Sequence, residues 1–143
     1  QKAANAPLPL EGAALISVNR REREFLLPIV QKLHELGFKL YATEGTAKFL
    51  DEYSIPNTIV NKLGEGRPDV SDMIKNHALQ LIINTPKDRS EKLDDSYIRM
   101  MAIQQKIAYM TTIAAAKATV AGIAAARSNA ILPKSLQEYQ AGK

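Results

Sequence analysis

Cysteine is absent from these 143 residues, which at once excludes disulfides, thiol nucleophiles and thiolate metal sites. Imidazole is nearly as scarce. His34 and His77 are the only two histidines, so no transition-metal centre is expected. His34 falls in an apolar helical pattern and His77 at a helix end, where surface or capping roles are ordinary. No apolar run approaches the roughly 20 residues that a bilayer span requires. The N-terminus also lacks the charged-then-apolar layout of a signal peptide, and a cytoplasmic setting is expected, with no membrane partner. Neither G-x-x-x-x-G-K-[ST] nor G-x-G-x-x-G occurs, so ATP hydrolysis and NAD binding by this chain are unsupported. A strong charge imbalance is missing too: 19 Lys and Arg face 15 Asp and Glu, a net +4. The signs are interspersed, so nothing marks a nucleic-acid surface, whereas small anionic ligands fit such a balance.

What is present is enough apolar material, 45% of residues, for one domain to bury its own core. The opening stretch, Gln1 to Pro9, is rich in Ala and Pro and resembles an interdomain linker, so residues 1–11 are read as linker and 12–143 as the domain. From there strand and helix patterns alternate. Residues 13–18 are a short apolar run, as in a strand buried on both faces. Phe25, Leu26, Ile29, Val30, Leu33 and Leu36 recur at helical steps up to Gly37, and Pro28 confines the helix start to the few residues before it. A second strand over 38–43, a helix over 46–53 and a third strand over 58–61 follow. Next come a helix over 69–75 capped by Asp69 or Ser71, a fourth strand over 79–84 and a helix ending near 106. A fifth strand over 107–110 and an Ala-rich helix over 112–126 complete the pattern. Such alternation implies an α/β fold of three layers around a five-stranded parallel sheet.

Ligands of such sheets bind beyond the carboxyl ends of the strands, where strand order reverses. Four stretches converge there: Ser17 to Arg23, Thr43 to Thr46, Lys62 to Pro68 and Asn84-Thr85. The turn Leu40-Tyr41-Ala42-Thr43-Glu44-Gly45-Thr46 precedes a helix whose N-terminal N–H groups and dipole suit an anion. Arg23 (or its neighbours Arg20 and Arg21), Thr43, Thr46 and Lys62 are donors suited to a phosphate monoester. Each has an ordinary alternative: Thr is a common N-cap, and a surface Arg or Lys is commonly just solvated. Asn84 is either a strand-end cap or a reader of a ribose hydroxyl or base edge. No Ser/His/Asp set shows itself, and of the rim carboxylates Glu44, Glu65 and Asp69, a lone Asp is ordinarily a helix cap.

Taken together, Ile16-Ser17-Val18, the 40–46 turn, Val60-Asn61-Lys62, Glu65-Gly66-Arg67-Pro68, Ile82-Ile83-Asn84-Thr85 and Tyr109-Met110-Thr111-Thr112 resemble a known family. It is the methylglyoxal-synthase-like domain at the carboxyl end of the large chain of bacterial carbamoyl phosphate synthase. The likeness runs from about Gly12 to Tyr139 and implies the strand order 3-2-1-4-5 for the sheet. It implies a non-catalytic regulatory module that binds nucleoside monophosphates, UMP as inhibitor and IMP as activator, with ornithine as a further activator. The implied phosphate pocket is Arg23, Thr43, Thr46 and Lys62; the implied nucleoside contacts are Asn84, Thr85 and Asp94. Tyr109 and Thr111 match residues that hold ornithine at the boundary with the synthetic domain; packing of the last strand is their ordinary alternative. The family usually carries Lys where this chain has Arg23, so a planar fork replaces a point charge. Pro86 stands where the family commonly has a hydroxyl residue.

The resemblance also implies a parent enzyme that makes carbamoyl phosphate from bicarbonate, ATP and ammonia released from glutamine, for pyrimidine and arginine synthesis. No cofactor is implied in this domain; ATP and Mg or Mn would belong to the parent. The remaining domains of the large chain and a glutaminase small chain would be its partners. The rival within the superfamily is a methylglyoxal synthase-type lyase acting on dihydroxyacetone phosphate. Against it, Arg67 falls where that enzyme has an Asp, and the Pro86-Lys87 region lacks its Trp-Asp pair, leaving no evident base for proton abstraction.

Overall fold

Every residue of the first strand, Ala13–Ser17, is buried, the pattern of a strand covered on both faces within a parallel sheet. The computed structural model describes residues 8–61, 66, 69–85 and 95–131. Its five strands are β1 (Ala13–Ser17), β2 (Lys39–Ala42), β3 (Thr58–Ile59), β4 (Leu81–Asn84) and β5 (Ala108–Met110). They form one sheet in the order β3-β2-β1-β4-β5, and all four pairings are parallel. This is the expected order. Because β2 and β4 lie on opposite sides of β1, the order reverses between β1 and β4, and there Ser17 is the register partner of Asn84.

The helices are α1 (Leu27–Glu35), α2 (Glu44–Glu52), α3 (Val70–Lys75), α4 (Asp95–Gln104) and α5 (Ile113–Ile131), with a 3-10 segment at Arg20–Phe25. Period-two alternation along the strands sorts the core into two clusters. Ala14, Ile16, Leu81 and Ile83 pack with Leu33 of α1, Leu50 of α2 and Ile123 of α5. Ala13, Leu15 and Ile82 pack on the other face with Ile74 of α3 and Ile98 of α4. The result is three layers.

Several element bounds differ from the sequence expectation for identifiable reasons. Pro28 sits in the first turn of α1, where a missing N–H costs nothing, and the residues before it take a separate 3-10 turn. β3 is two residues long: Val60 N still donates to the Ala42 carbonyl at 2.9 Å, but Asn61 then pairs in an isolated bridge with Asp69. α4 stops before 106 because Lys106 adopts a left-handed φ of 59°, which a right-handed helix cannot continue. α5 runs five residues past the expected end, to Ile131, since its Ala-rich sequence carries no breaker there. Of the expected linker, residues 1–7 lie outside the described residues, and 8–11 form neither helix nor strand.

Candidate anion-binding rim

One peptide past the end of β1, the backbone of Val18 would be left without sheet partners. Side chains from two elements meet it, Thr46 of α2 and Arg23 of the 3-10 segment. Val18 N–H donates to Thr46 Oγ1 at 3.1 Å, and that hydroxyl lies 3.4 Å from the Val18 carbonyl, to which it donates. The same carbonyl accepts from Arg23 Nε at 2.9 Å. Thr46 is fully buried and Thr43 is 4% exposed. The Thr43 hydroxyl lies 2.9 Å from that of Ser17, joining the ends of β2 and β1.

This arrangement corrects one expectation. The second helix starts at Glu44, two residues before the expected 46, and its N-cap is Thr43. Thr43 makes no side-chain cap bond, because its hydroxyl is paired with Ser17 instead. Thr46 therefore lies inside the first turn, facing β1. Arg23 is placed by the 3-10 turn, whose N-cap Asn19 accepts from Glu22 N at 2.9 Å and donates through Nδ2 to Glu22 Oε1 at 2.9 Å.

The third contributor is the end of β4. Thr85 N donates to the Ser17 carbonyl at 3.0 Å, and the fully buried Thr85 hydroxyl accepts from Asn19 N at 2.8 Å. The loop after β1 is thereby fastened to β4 on one side and to α2 on the other. Asn84, 3% exposed, donates through Nδ2 to Tyr109 Oη at 3.1 Å. Beyond that bond opens a cleft of about 560 Å³, lined among others by Asn84, Arg99, Gln104, Tyr109 and Thr111. The Arg99 guanidinium stands over the Tyr109 ring, 5.9 Å from its centroid, a cation–π distance.

Of the site residues expected from the sequence, Arg23, Thr43, Thr46, Asn84 and Thr85 are brought together, and Tyr109 and Thr111 share the cleft that adjoins Asn84. Lys62 and Asp94 lie outside the described residues, as do Arg67 and Pro86. Arg99 and Gln104 were not anticipated. Arg99, over the Tyr109 ring, joins α4 to β5 across tertiary space, and no local spacing in the sequence announces it.

Of the rim carboxylates, Glu65 lies outside the described residues, and Glu44 and Asp69 each have a partner. Glu44 lies 3.8 Å from Lys48 on the exposed face of α2. Asp69 caps α3 in a reciprocal capping box with Asp72 and accepts from Ser71 Oγ at 2.7 Å. Among the described residues no group of three or more His, Cys, Asp or Glu could hold a metal ion, and no helix is long and apolar enough to cross a membrane. The rim thus offers hydroxyls, a guanidinium and backbone N–H groups, a set that recognises an oxyanion by hydrogen bonding.

A family model for the MGS-like domain matches residues 25–111. The carbamoyl phosphate synthase large chain of Methanocorpusculum labreanum is 41% identical over 138 residues, 96% of this chain and 13% of the relative. The C-terminal section of that large chain from Methanopyrus kandleri is 43% identical over 143 residues, 99% of this chain and 26% of the relative. Its counterpart from Methanocaldococcus jannaschii is 42% identical over 142 residues, 99% of this chain and 23% of the relative. The chain spans about a quarter or less of the length of these relatives. Sheet order, matched span and identity agree: this chain belongs to the MGS-like domain family.

Proposed function

We propose that this chain is the effector-binding module of a carbamoyl phosphate synthase large chain and does no chemistry itself. The observation that carries the reading is the convergence at the sheet reversal: Thr43 and Thr46 beside Ser17 and Val18, Arg23 on the Val18 carbonyl, and Asn84 as register partner of Ser17. A nucleoside monophosphate suits this layout. Its phosphate would meet Arg23, Thr43, Thr46 and Lys62 near the start of α2, and its ribose or base would meet Asn84, Thr85 and Asp94. UMP would act as inhibitor and IMP as activator. Ornithine would occupy the boundary beside Tyr109 and Thr111, against the synthetic domain.

The regulation we propose is linkage. Each effector shifts the balance between states of the synthase by its difference in affinity for them, and an effector with equal affinity for both states shifts nothing. Carbamoyl phosphate formation from bicarbonate, ATP and glutamine-derived ammonia, with ATP and Mg or Mn, belongs to the rest of the large chain and its glutaminase small chain.

Calorimetric titration with UMP, IMP and dihydroxyacetone phosphate tests this directly, on the wild-type chain and on Thr43→Ala and Lys62→Ala. Saturable binding of UMP or IMP, weakened about tenfold in each variant, is expected for the loss of one charge-assisted or neutral phosphate contact. Failure of both nucleotides to bind, with turnover of the triose phosphate, would replace the regulatory reading by the lyase.

A further inference from the structure

We infer that Gly45 is a positioning residue: the side chain it lacks is the space in which the Arg23 guanidinium stands. A Cβ at residue 45 would lie 2.6 Å from Arg23 Nη2, 3.2 Å from Cζ and 3.3 Å from Nη1. All three nearest atoms belong to that one guanidinium. Gly45 has no left-handed φ and sits inside the first turn of α2, so its backbone conformation gives no reason for glycine there. In a helix glycine is the poorer choice than alanine. The reason lies across the gap, in Arg23.

The guanidinium is held from two sides. Nε donates to the Val18 carbonyl at 2.9 Å, which fixes the plane of the fork, and the bare Cα of Gly45 lets that fork lie against the first turn of α2. The start of α2 and the cation therefore present themselves to an anion as one unit, N–H groups and guanidinium side by side. A methyl group at 45 meets only the far end of a flexible side chain. Arg23 would swing away, the Nε bond to Val18 would break, and the fold would stay intact.

The inference rests on the effector reading for its consequence and on geometry for its substance, and the experiment separates the two. The variants are Gly45→Ala, Arg23→Ala and the double substitution, titrated with UMP, IMP and inorganic phosphate. Gly45→Ala is expected to weaken whichever ligands bind by about tenfold while leaving the thermal midpoint within about 3 °C of wild type. In the Arg23→Ala background the same change is expected to alter affinity less than twofold. An equal loss in both backgrounds, or no loss in the wild-type background, overturns the inference, since a merely structural glycine would act whether or not Arg23 is present. A second readout needs no ligand. The Arg23 Nε–H resonance, assigned through Arg23→Lys, should be protected from exchange in the wild-type chain and lose that protection in Gly45→Ala. Retained protection overturns the inference. If the wild-type chain binds neither nucleotide nor phosphate, the effector reading fails alone, and the resonance still decides the role of Gly45.

Discussion

The two ends of the candidate site are built differently. At the β1–β2 end, fully or almost fully buried hydroxyls of Ser17, Thr43 and Thr46 bond to one another or to backbone, so each side chain also serves as part of the fold. At the β4–β5 end, the half-buried Tyr109 is held by Asn84 and overhung by the exposed Arg99, beside an open cleft. The first end is fixed before any ligand arrives, which lowers the ordering cost of binding. The second can repack around what enters it. A rim that grips a group common to every effector gains from rigidity, and a cleft that faces a variable group or another domain gains from freedom.

The comparison breaks most visibly at Thr46. Thr46→Val keeps the shape but removes the oxygen that satisfies the Val18 N–H and the proton that reaches the Val18 carbonyl. A buried donor left without its partner costs about 1–3 kcal/mol, so urea denaturation should show a loss of about 2 kcal/mol with an unchanged denaturant slope. If the loss is a few tenths instead, the rim is not the rigid end. Thr43→Val comes next. It removes one hydroxyl pair with Ser17 and leaves the Ser17 hydroxyl to find a new partner. The expected cost is about 1 kcal/mol, measured the same way.

The contrast also marks what the sequence made legible. The parallel sheet was readable because residues 13–16 and 81–83 are apolar without interruption, and an uninterrupted apolar strand between helices has few places to go. The rim was readable as a set of loops for the same topological reason. The roles within it were not. Thr43 and Thr46 look alike in sequence as possible caps, and only the hydroxyl of Ser17, 26 residues away in the chain, decides that Thr43 caps without a side-chain bond while Thr46 serves Val18. Gly45 stands in that turn with nothing near it in sequence to say what lies against it; the Arg23 side chain does. Arg99 left no trace at all, because its partner Tyr109 is reached through packing of α4 on β5.

The smallest effect tests the adaptable end. Tyr109→Phe deletes Oη and so the acceptor of the Asn84 bond, but keeps the ring beneath Arg99. With Tyr109 only half-buried, water can replace the lost oxygen, and the expected cost is about 0.5 kcal/mol, the low end for a hydrogen bond. A double-mutant cycle locates that cost. Paired with Asn84→Ala, the two losses should fail to add by about 0.5 kcal/mol, since either change alone already breaks the bond; paired with Arg99→Gln they should add, since the ring face survives the first change. Strong coupling to Arg99 would mean that hydroxyl, ring and guanidinium move as one body. The β4–β5 end would then be as preorganised as the β1–β2 end, and the distinction between a fixed grip and an adaptable cleft would fall.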